Sequence, residues 1–492
     1  MLAAMGYAEV VSAMVAELAG PGEPGLAVGV YEQGDLVFTA SAGEACVEFG
    51  VPVDARTRFD IASASKQFTA AAALLLARDG KLDLDEGIHV HLPELSLPVP
   101  VTVRQCLQHT AGLPEWYSLV TVAGIPLYAC SEERLVELFT GLRTLNYQPG
   151  TAFSYSNTGY VLTAAVIRRI TGQSLNEFAT ERIFRPLGMN DTLFRDDVTA
   201  VLPRFAPGYN SDQGLVRADT VESAVGDGGL VTSVSDLAPW FGFLADGRVL
   251  GADLRDQLVE NTAFKYSFGI YPIRIGELDG FGHAGAVPGY RSQLIHVPSA
   301  GIGVSLLSNQ SRHDPVAIAA KVARIVTGQR QPVVDATPGE AEALAGYWFN
   351  EITDAAVEIE LSGGGIRFQG EEFTHRADGV WRDESATELW LADGRLMMGT
   401  ELIPARQITM VRREPATGAG LPEGSFRNAE IGATLTIADG RLVTTGQPSL
   451  PLTPVSADAW QAGPLVTLYL DGGDLLLSAH GVRRMRFTPH EK

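Results

Sequence analysis

The feature that most constrains the fold is a change of pattern near residue 340. Upstream, Ala- and Leu-rich runs with helical spacing lie between short alternating segments. Downstream, helix signals vanish, and alternating segments are separated by glycine turns such as Ser362-Gly363-Gly364-Gly365, Asp393-Gly394, Asp439-Gly440 and Asp471-Gly472-Gly473. That texture is expected of small antiparallel barrels. The stretch between the two textures, QRQPVVDATPGEA at 329–341, holds two prolines and no periodicity, which marks a linker. The downstream region is also duplicated: Gly346, Trp348, Asn350, Ala355, Val357 and Ile359 recur 78 positions later as Gly424, Phe426, Asn428, Ala433, Leu435 and Ile437. A chain of 492 residues is too long for one core. The expected organisation is an α/β domain over 1–330 and β-barrel domains over 341–414 and 421–492, divided near EPATGAGLP.

Within the first region, Gly25 to Ala42 alternates apolar residues around Glu32-Gln33-Gly34-Asp35, which reads as a β-hairpin. The run from Ser63 to Leu82 is rich in Ala and Leu and is stopped by Gly80, as for a buried helix with Ser63 at its N-terminal end. The middle, about 100–260, is helical by pattern. Strands return over Ala284–Asn309, and Asp314-Pro315 starts a last helix that ends at Gly328.

Composition excludes several function classes. The formal charge of −21 repels phosphate backbones, and no Lys/Arg run is present, so no nucleic-acid partner is expected. No stretch approaches the roughly 20 apolar residues of a membrane span. The N-terminal segment lacks a cationic start and carries Glu9 and Glu17, which reads as an amphipathic helix and gives a cytoplasmic location as the expectation. Cys46, Cys106 and Cys130 have no metal or disulfide spacing, and His89 and His91 lack a third ligand, so neither metal nor cofactor is expected.

Three elements carry chemistry. Ser63-Ala64-Ser65-Lys66 places a hydroxyl and an amine one helical turn apart, and Lys66 alone among five lysines has Ser three residues before it. A lysine whose charged form burial disfavours can take a serine proton. Tyr155-Ser156-Asn157 is the only Tyr-x-Asn among thirteen tyrosines; a phenol can relay a proton and a carboxamide can hold a substrate amide. His283-Ala284-Gly285 lies on a strand, where the glycine would let a substrate backbone pair with the edge.

In this order and spacing, the three elements resemble the penicillin-recognising serine hydrolases: class C β-lactamases, D-alanyl-D-alanine carboxypeptidases, related esterases and D-aminopeptidases (the S12 peptidase family). Further matching segments are GKLDLDEGIHVHLPEL, CLQHTAGLP at 106–114, GMNDTLF at 188–194, APGY at 206–209 and GDGGLVTSVSDL at 226–237. The resemblance implies a β-lactamase-like domain, an antiparallel sheet flanked by helices with a helical subdomain. It implies Ser63 as acylated nucleophile, Lys66 as general base, Tyr155 as proton relay, His283 as a catalytic group, and Asn157 and Gly285 as substrate ligands. The N–H groups of Ser63 and Ala286 would form the oxyanion hole, and His109, within HTAGLP, would be structural.

The whole plan, with two appended barrels, is most similar to the D-aminopeptidases. This implies release of N-terminal D-amino acids from small peptides, amides and esters, with β-lactams as inhibitors; a homodimer stays open. The alternatives are an esterase, β-lactamase or carboxypeptidase on the same nucleophile, and a non-catalytic penicillin-binding sensor. In D-aminopeptidases a loop of the last barrel brings an Asp into the active site. The matching segment here, Asp458 to Pro464, looks shorter and has no acid after Trp460, so a more open pocket is expected.

Overall fold

The computed structural model describes the chain except for residues 1–3, 212–213, 261, 330–339, 377–378, 384–386, 401–407, 414–420, 465 and 491–492. Most of both expected inter-domain linkers therefore lies outside the described residues. The chain forms two compact units. One comprises mainly the residues up to Glu86 and those from Tyr160 to Pro332; the other combines Gly87–Gly159 with the C-terminal barrels.

The first unit is built on α1 (Ala4–Ala16), β1 (Leu26–Glu32), β2 (Asp35–Ala42), α2 (Lys66–Arg78), β3 (Tyr271–Ile275), β4 (Leu278–Val287), β5 (Tyr290–Val297), β6 (Ile302–Ser308) and α3 (Pro315–Thr327). The sheet is antiparallel, in the order β3-β4-β5-β6-β1-β2. The expected hairpin is β1–β2, and its two-residue turn holds Gln33 and Gly34 at φ 51° and 89°, the left-handed pair that matches strand twist. Strand β1 is interior and buried along nearly its whole length, while the edge strand β2 alternates between half-buried and exposed. The last helix forms as its caps dictate: the Asp314 carboxylate accepts the N–H groups of Val316 and Ala317, and Gly328 ends it at φ 69°. Strand β4 outruns its neighbour. Its ladder with β3 stops at the Tyr271–Gly282 pair, so His283–Val287 continue beside β5 alone.

In the second unit, three short helices, Val103–Leu107, Trp116–Ala123 and Glu132–Thr140, accompany two closed barrels. The described strands of the first barrel run from Gly346–Asn350 to Ile408–Val411, and those of the second from Gly424–Arg427 to Val482–Pro489. The duplication is retained in register. Gly346 pairs with Ile359 and Trp348 with Val357; 78 residues on, Gly424 pairs with Ile437 and Phe426 with Leu435. Asn350 and Asn428 perform the same task, each accepting backbone N–H groups of the following turn on its side-chain oxygen. Phe349 and Ala356 of the first barrel pack with Val455, Ala459, Tyr469 and Leu476 of the second. Beside them the buried Asp354 carboxylate meets Arg413 at 2.6 Å and Arg484 at 2.7 Å. Among the described residues, no helix is long and apolar enough to cross a membrane.

Candidate active site

Ser63 lies in a 3-10 turn, Ala62–Ser65, that runs directly into α2. Residues three apart eclipse in a 3-10 turn. The Lys66 ammonium thereby donates to Ser63 Oγ at 3.0 Å and to the Asp227 carbonyl at 2.5 Å, with the Tyr160 ring 5.3 Å from Nζ. Lys66 is fully buried and Ser63 is partly exposed, so the hydroxyl faces outward while its partner is held in the interior. Every residue of α2 from Lys66 to Leu76 is buried. With Phe68, Leu74, Leu75 and Leu76 each contributing about 1.5–3 kcal/mol of burial, the helix cannot shift without loss of core packing. The GDGGL segment clamps its start: Gly226 O accepts from Thr69 Oγ1 at 2.7 Å, and the Leu230 N–H donates to Ser65 Oγ at 3.1 Å.

Strand β4 lies against this turn, and Gly285 makes the approach possible. A Cβ there would stand 2.1 Å from the Ile61 carbonyl and 2.4 Å from Ser292 Oγ. The sequence alone suggests that this glycine serves the substrate; the structure shows that it also serves the chain's own packing. His283 is buried with both ring nitrogens engaged, Nε2 with Tyr266 Oη at 2.9 Å and Nδ1 with the Ala284 carbonyl. A carbonyl requires a proton on Nδ1, so Nε2 accepts from the tyrosine. Ala286 is exposed on the free stretch of β4.

In the second unit, Tyr155 and Asn157 lie on an irregular segment that ends where the helix Thr158–Thr171 begins. Buried His109, at φ 58°, supports it: its ring stacks at 4.2 Å from that of Tyr155, and its Nδ1 accepts the Ser156 N–H at 3.1 Å. Buried Glu115 holds Asn157, accepting its backbone N–H at 2.6 Å and its side-chain Nδ2 at 3.1 Å. This fixes the amide with its nitrogen toward Glu115. Glu115 is braced in turn by the last barrel: its N–H donates to Gly481 O at 2.9 Å, and Asn146 Nδ2 donates to the same carbonyl at 2.8 Å.

Residues 11–328 match the family model described as Beta-lactamase, about two-thirds of the chain. The chain belongs to the β-lactamase family. As a β-lactamase-family protein it is an enzyme, a serine hydrolase. It is 29% identical over 369 residues to a D-aminopeptidase of Gluconobacter oxydans, covering 73% of this chain and 69% of the relative. A D-aminopeptidase of Cereibacter sphaeroides is 27% identical over 463 residues, 89% of this chain and 87% of the relative. Among solved structures, the D-amino acid amidase of Ochrobactrum anthropi SV3, in complex with L-phenylalanine amide, aligns with a TM-score of 0.55 and 25% identity over 66% of this chain and 97% of its own.

Sequence reasoning missed Asp227, Glu115 and the role of the turn at Gly481. The first carries a signal, because its GDGG segment has no strand or helix pattern yet matches the family. The other two carry none, since the contact joins residues 366 positions apart. Sequence matching also drew attention to the wrong turn of the last barrel. Ala459–Ala462 is a regular strand of the second barrel, and Gln461, Gly463 and Pro464 line a groove with Tyr347, Glu358 and Arg367 of the first. Asp458 faces Arg413. The turn that meets the Asn157 support is His480–Gly481.

Proposed function

We propose that this β-lactamase-family hydrolase cleaves amides and esters of D-amino acids, releasing N-terminal D-amino acids, through an acyl-enzyme on Ser63. The observation that carries the reading is the Lys66 amine, buried and 3.0 Å from a partly exposed Ser63 Oγ. In acylation Ser63 Oγ attacks the substrate carbonyl carbon while Lys66 takes its proton. Collapse of the tetrahedral intermediate expels the amine or alcohol, which leaves protonated, with Tyr155 as relay. Water then attacks the ester, and Ser63 recovers its proton as the acid departs. The backbone N–H groups of Ser63 and Ala286 are the proposed oxyanion donors, each worth about 3 kcal/mol in such sites.

Asn157 is the proposed ligand of the substrate amide. Glu115 holds its nitrogen, which leaves Oδ1 as the acceptor for a substrate N–H. His283, with both nitrogens engaged, is proposed to shape the β4 wall rather than to exchange protons. The D preference is supported by the relatives named D-aminopeptidase and by the D-amino acid amidase neighbour.

The test is a hydrolysis panel on one preparation: D- and L-alanine nitroanilides, D-phenylalanine amide, a short-chain nitrophenyl ester and a penicillin. Preference for the D-amino-acid amides, lost in Ser63→Ala, supports the reading. Ester turnover without D-amide turnover would reassign the protein as an esterase.

A further inference from the structure

Asp60 stands three residues before the nucleophile on the short strand Phe59–Asp60, which pairs with Thr232 and Val231. It is 1% exposed, and its Oδ1 accepts the Ala62 N–H at 2.7 Å. Ala62, fully buried and directly preceding Ser63, sits at φ 48°. The left-handed region disfavours any residue with a Cβ, and such positions persist only where their surroundings over-determine them. The neighbours of Ala62 do so. The Ile61 N–H donates to Leu230 O at 2.9 Å, and the Ile61 carbonyl accepts from Ser292 Oγ at 2.6 Å. At Ala62 itself, the charged oxygen of Asp60 is the bond that accompanies the left-handed conformation.

We propose that Asp60 is a positioning residue of the catalytic centre: by accepting the Ala62 N–H it holds Ala62 left-handed and so fixes the direction of the Ser63 hydroxyl and backbone N–H. The inference rests on Ser63 as nucleophile. A second observation supports it. Burial first, and the nearby Glu222 charge to a lesser degree, push the Asp60 carboxyl up to about 6, against the Ala62 N–H, Thr220 and Arg195, which favour its ionised form. The buried phenol of Tyr290 also faces this carboxylate. A group kept ionised at neutral pH against its own burial is a cost to stability, expected where the charge serves a geometry rather than the core.

The test compares the full-length chain with Asp60→Ala, which removes the acceptor, and Asp60→Asn, which keeps one. Steady-state kcat and KM for a short-chain nitrophenyl ester, the rate of Ser63 labelling by a fluorophosphonate, and far-UV circular dichroism are measured on each. The expected result for folded Asp60→Ala is a fall of about thirtyfold in kcat and in labelling rate, with KM within about twofold and partial recovery in Asp60→Asn. Unchanged kcat in Asp60→Ala, or equal losses in the two variants, overturns the proposal. Should Asp60→Ala not fold, Asp60→Asn decides: kcat within about tenfold of wild type supports the assignment, and a larger loss overturns it. A wild-type chain that neither turns over ester nor labels at Ser63 would instead bring down the functional reading itself.

Discussion

Ser63 and Lys66 sit at the start of a helix whose next residues are all buried, while Tyr155 and Asn157 sit on a segment with no regular structure of its own. The first pair is placed by local geometry, a 3-10 turn that brings residues three apart into line. The second is placed by side chains from far along the chain: His109 beneath Tyr155, Glu115 beside Asn157, and the His480–Gly481 turn of the last barrel behind Glu115. Each region uses a buried carboxylate to hold a backbone N–H, Asp60 at Ala62 and Glu115 at Asn157. What differs is what a mutation can reach. In the first unit the chemistry should fail when the reacting groups are touched; in the second, when a brace some distance from them is loosened.

The largest effect is expected at Lys66. Lys66→Ala should lower kcat/KM for the best substrate at least about a thousandfold, and adding Tyr155→Phe should lower it little further, because residues that act in one proton transfer are not additive. Independent, multiplying losses would break the reading of one shared step. Next comes Glu115→Ala, which frees the Asn157 amide to turn. A loss of about thirtyfold, seen as a higher KM for D-amino-acid amides and much weaker for a simple ester, is the expected pattern in steady-state kinetics. Equal effects on both substrates would mean that Glu115 supports the fold alone.

These outcomes bear on what the sequence made legible. The Asp314 cap, the Gly328 stop and the Gln33-Gly34 hairpin were readable because each is a bargain among neighbours within a few residues. The barrel duplication was readable because the shift of 78 positions preserves both a strand pairing and an asparagine-capped turn. The Ser63–Lys66 and Tyr155–Asn157 motifs stood out by spacing and rarity. Helix propensity could not show that Ser63 lies in a 3-10 turn, because that choice follows from the left-handed Ala62 and the Asp60 carboxylate behind it. Nor could any local pattern show that Gly285 is required by the Ile61 carbonyl, or that Gly481 meets Glu115. Such contacts are fixed by tertiary packing, and similarity to the D-aminopeptidases pointed instead to the neighbouring turn at Gln461–Pro464.

A smaller effect separates the two barrels. Gly481 lies at φ 66°, and a Cβ there would stand 2.5 Å from Glu115 Cβ, whereas Gly394 in a turn of the first barrel, at φ 74°, would meet nothing within 4 Å. Gly481→Ala should therefore cost about 1–3 kcal/mol in denaturant unfolding and raise KM several-fold, while Gly394→Ala costs about 1 kcal/mol and leaves kinetics unchanged. Identical kinetic behaviour of the two variants would erase the distinction drawn between the barrels.

The smallest effect is on stability as pH varies. The folded-state pKa of Asp60 is raised from 3.8 to about 6. The protonated acid is thus the form that folding favours: its stabilising contribution is complete below about pH 4, fades through pH 6, and leaves the ionised group as a net cost above that, at most about 3 kcal/mol. Asp60→Asn does not titrate. Its thermal midpoint relative to wild type should rise between pH 5 and pH 8 by a few degrees; a difference independent of pH would show that the carboxylate is not held against its burial.

The account's central claim is that Ser63 carries the acyl group. The most direct measurement is peptide mass mapping of the wild-type chain, acid-quenched within milliseconds to seconds of mixing with a D-phenylalanine ester, with Ser63→Ala treated in parallel. The prediction is an added D-phenylalanyl mass on the peptide containing Ser63, present during turnover, gone when substrate is exhausted, and absent from the variant. Hydrolysis that proceeds in Ser63→Ala, or an acyl group that accumulates on another residue, would contradict it.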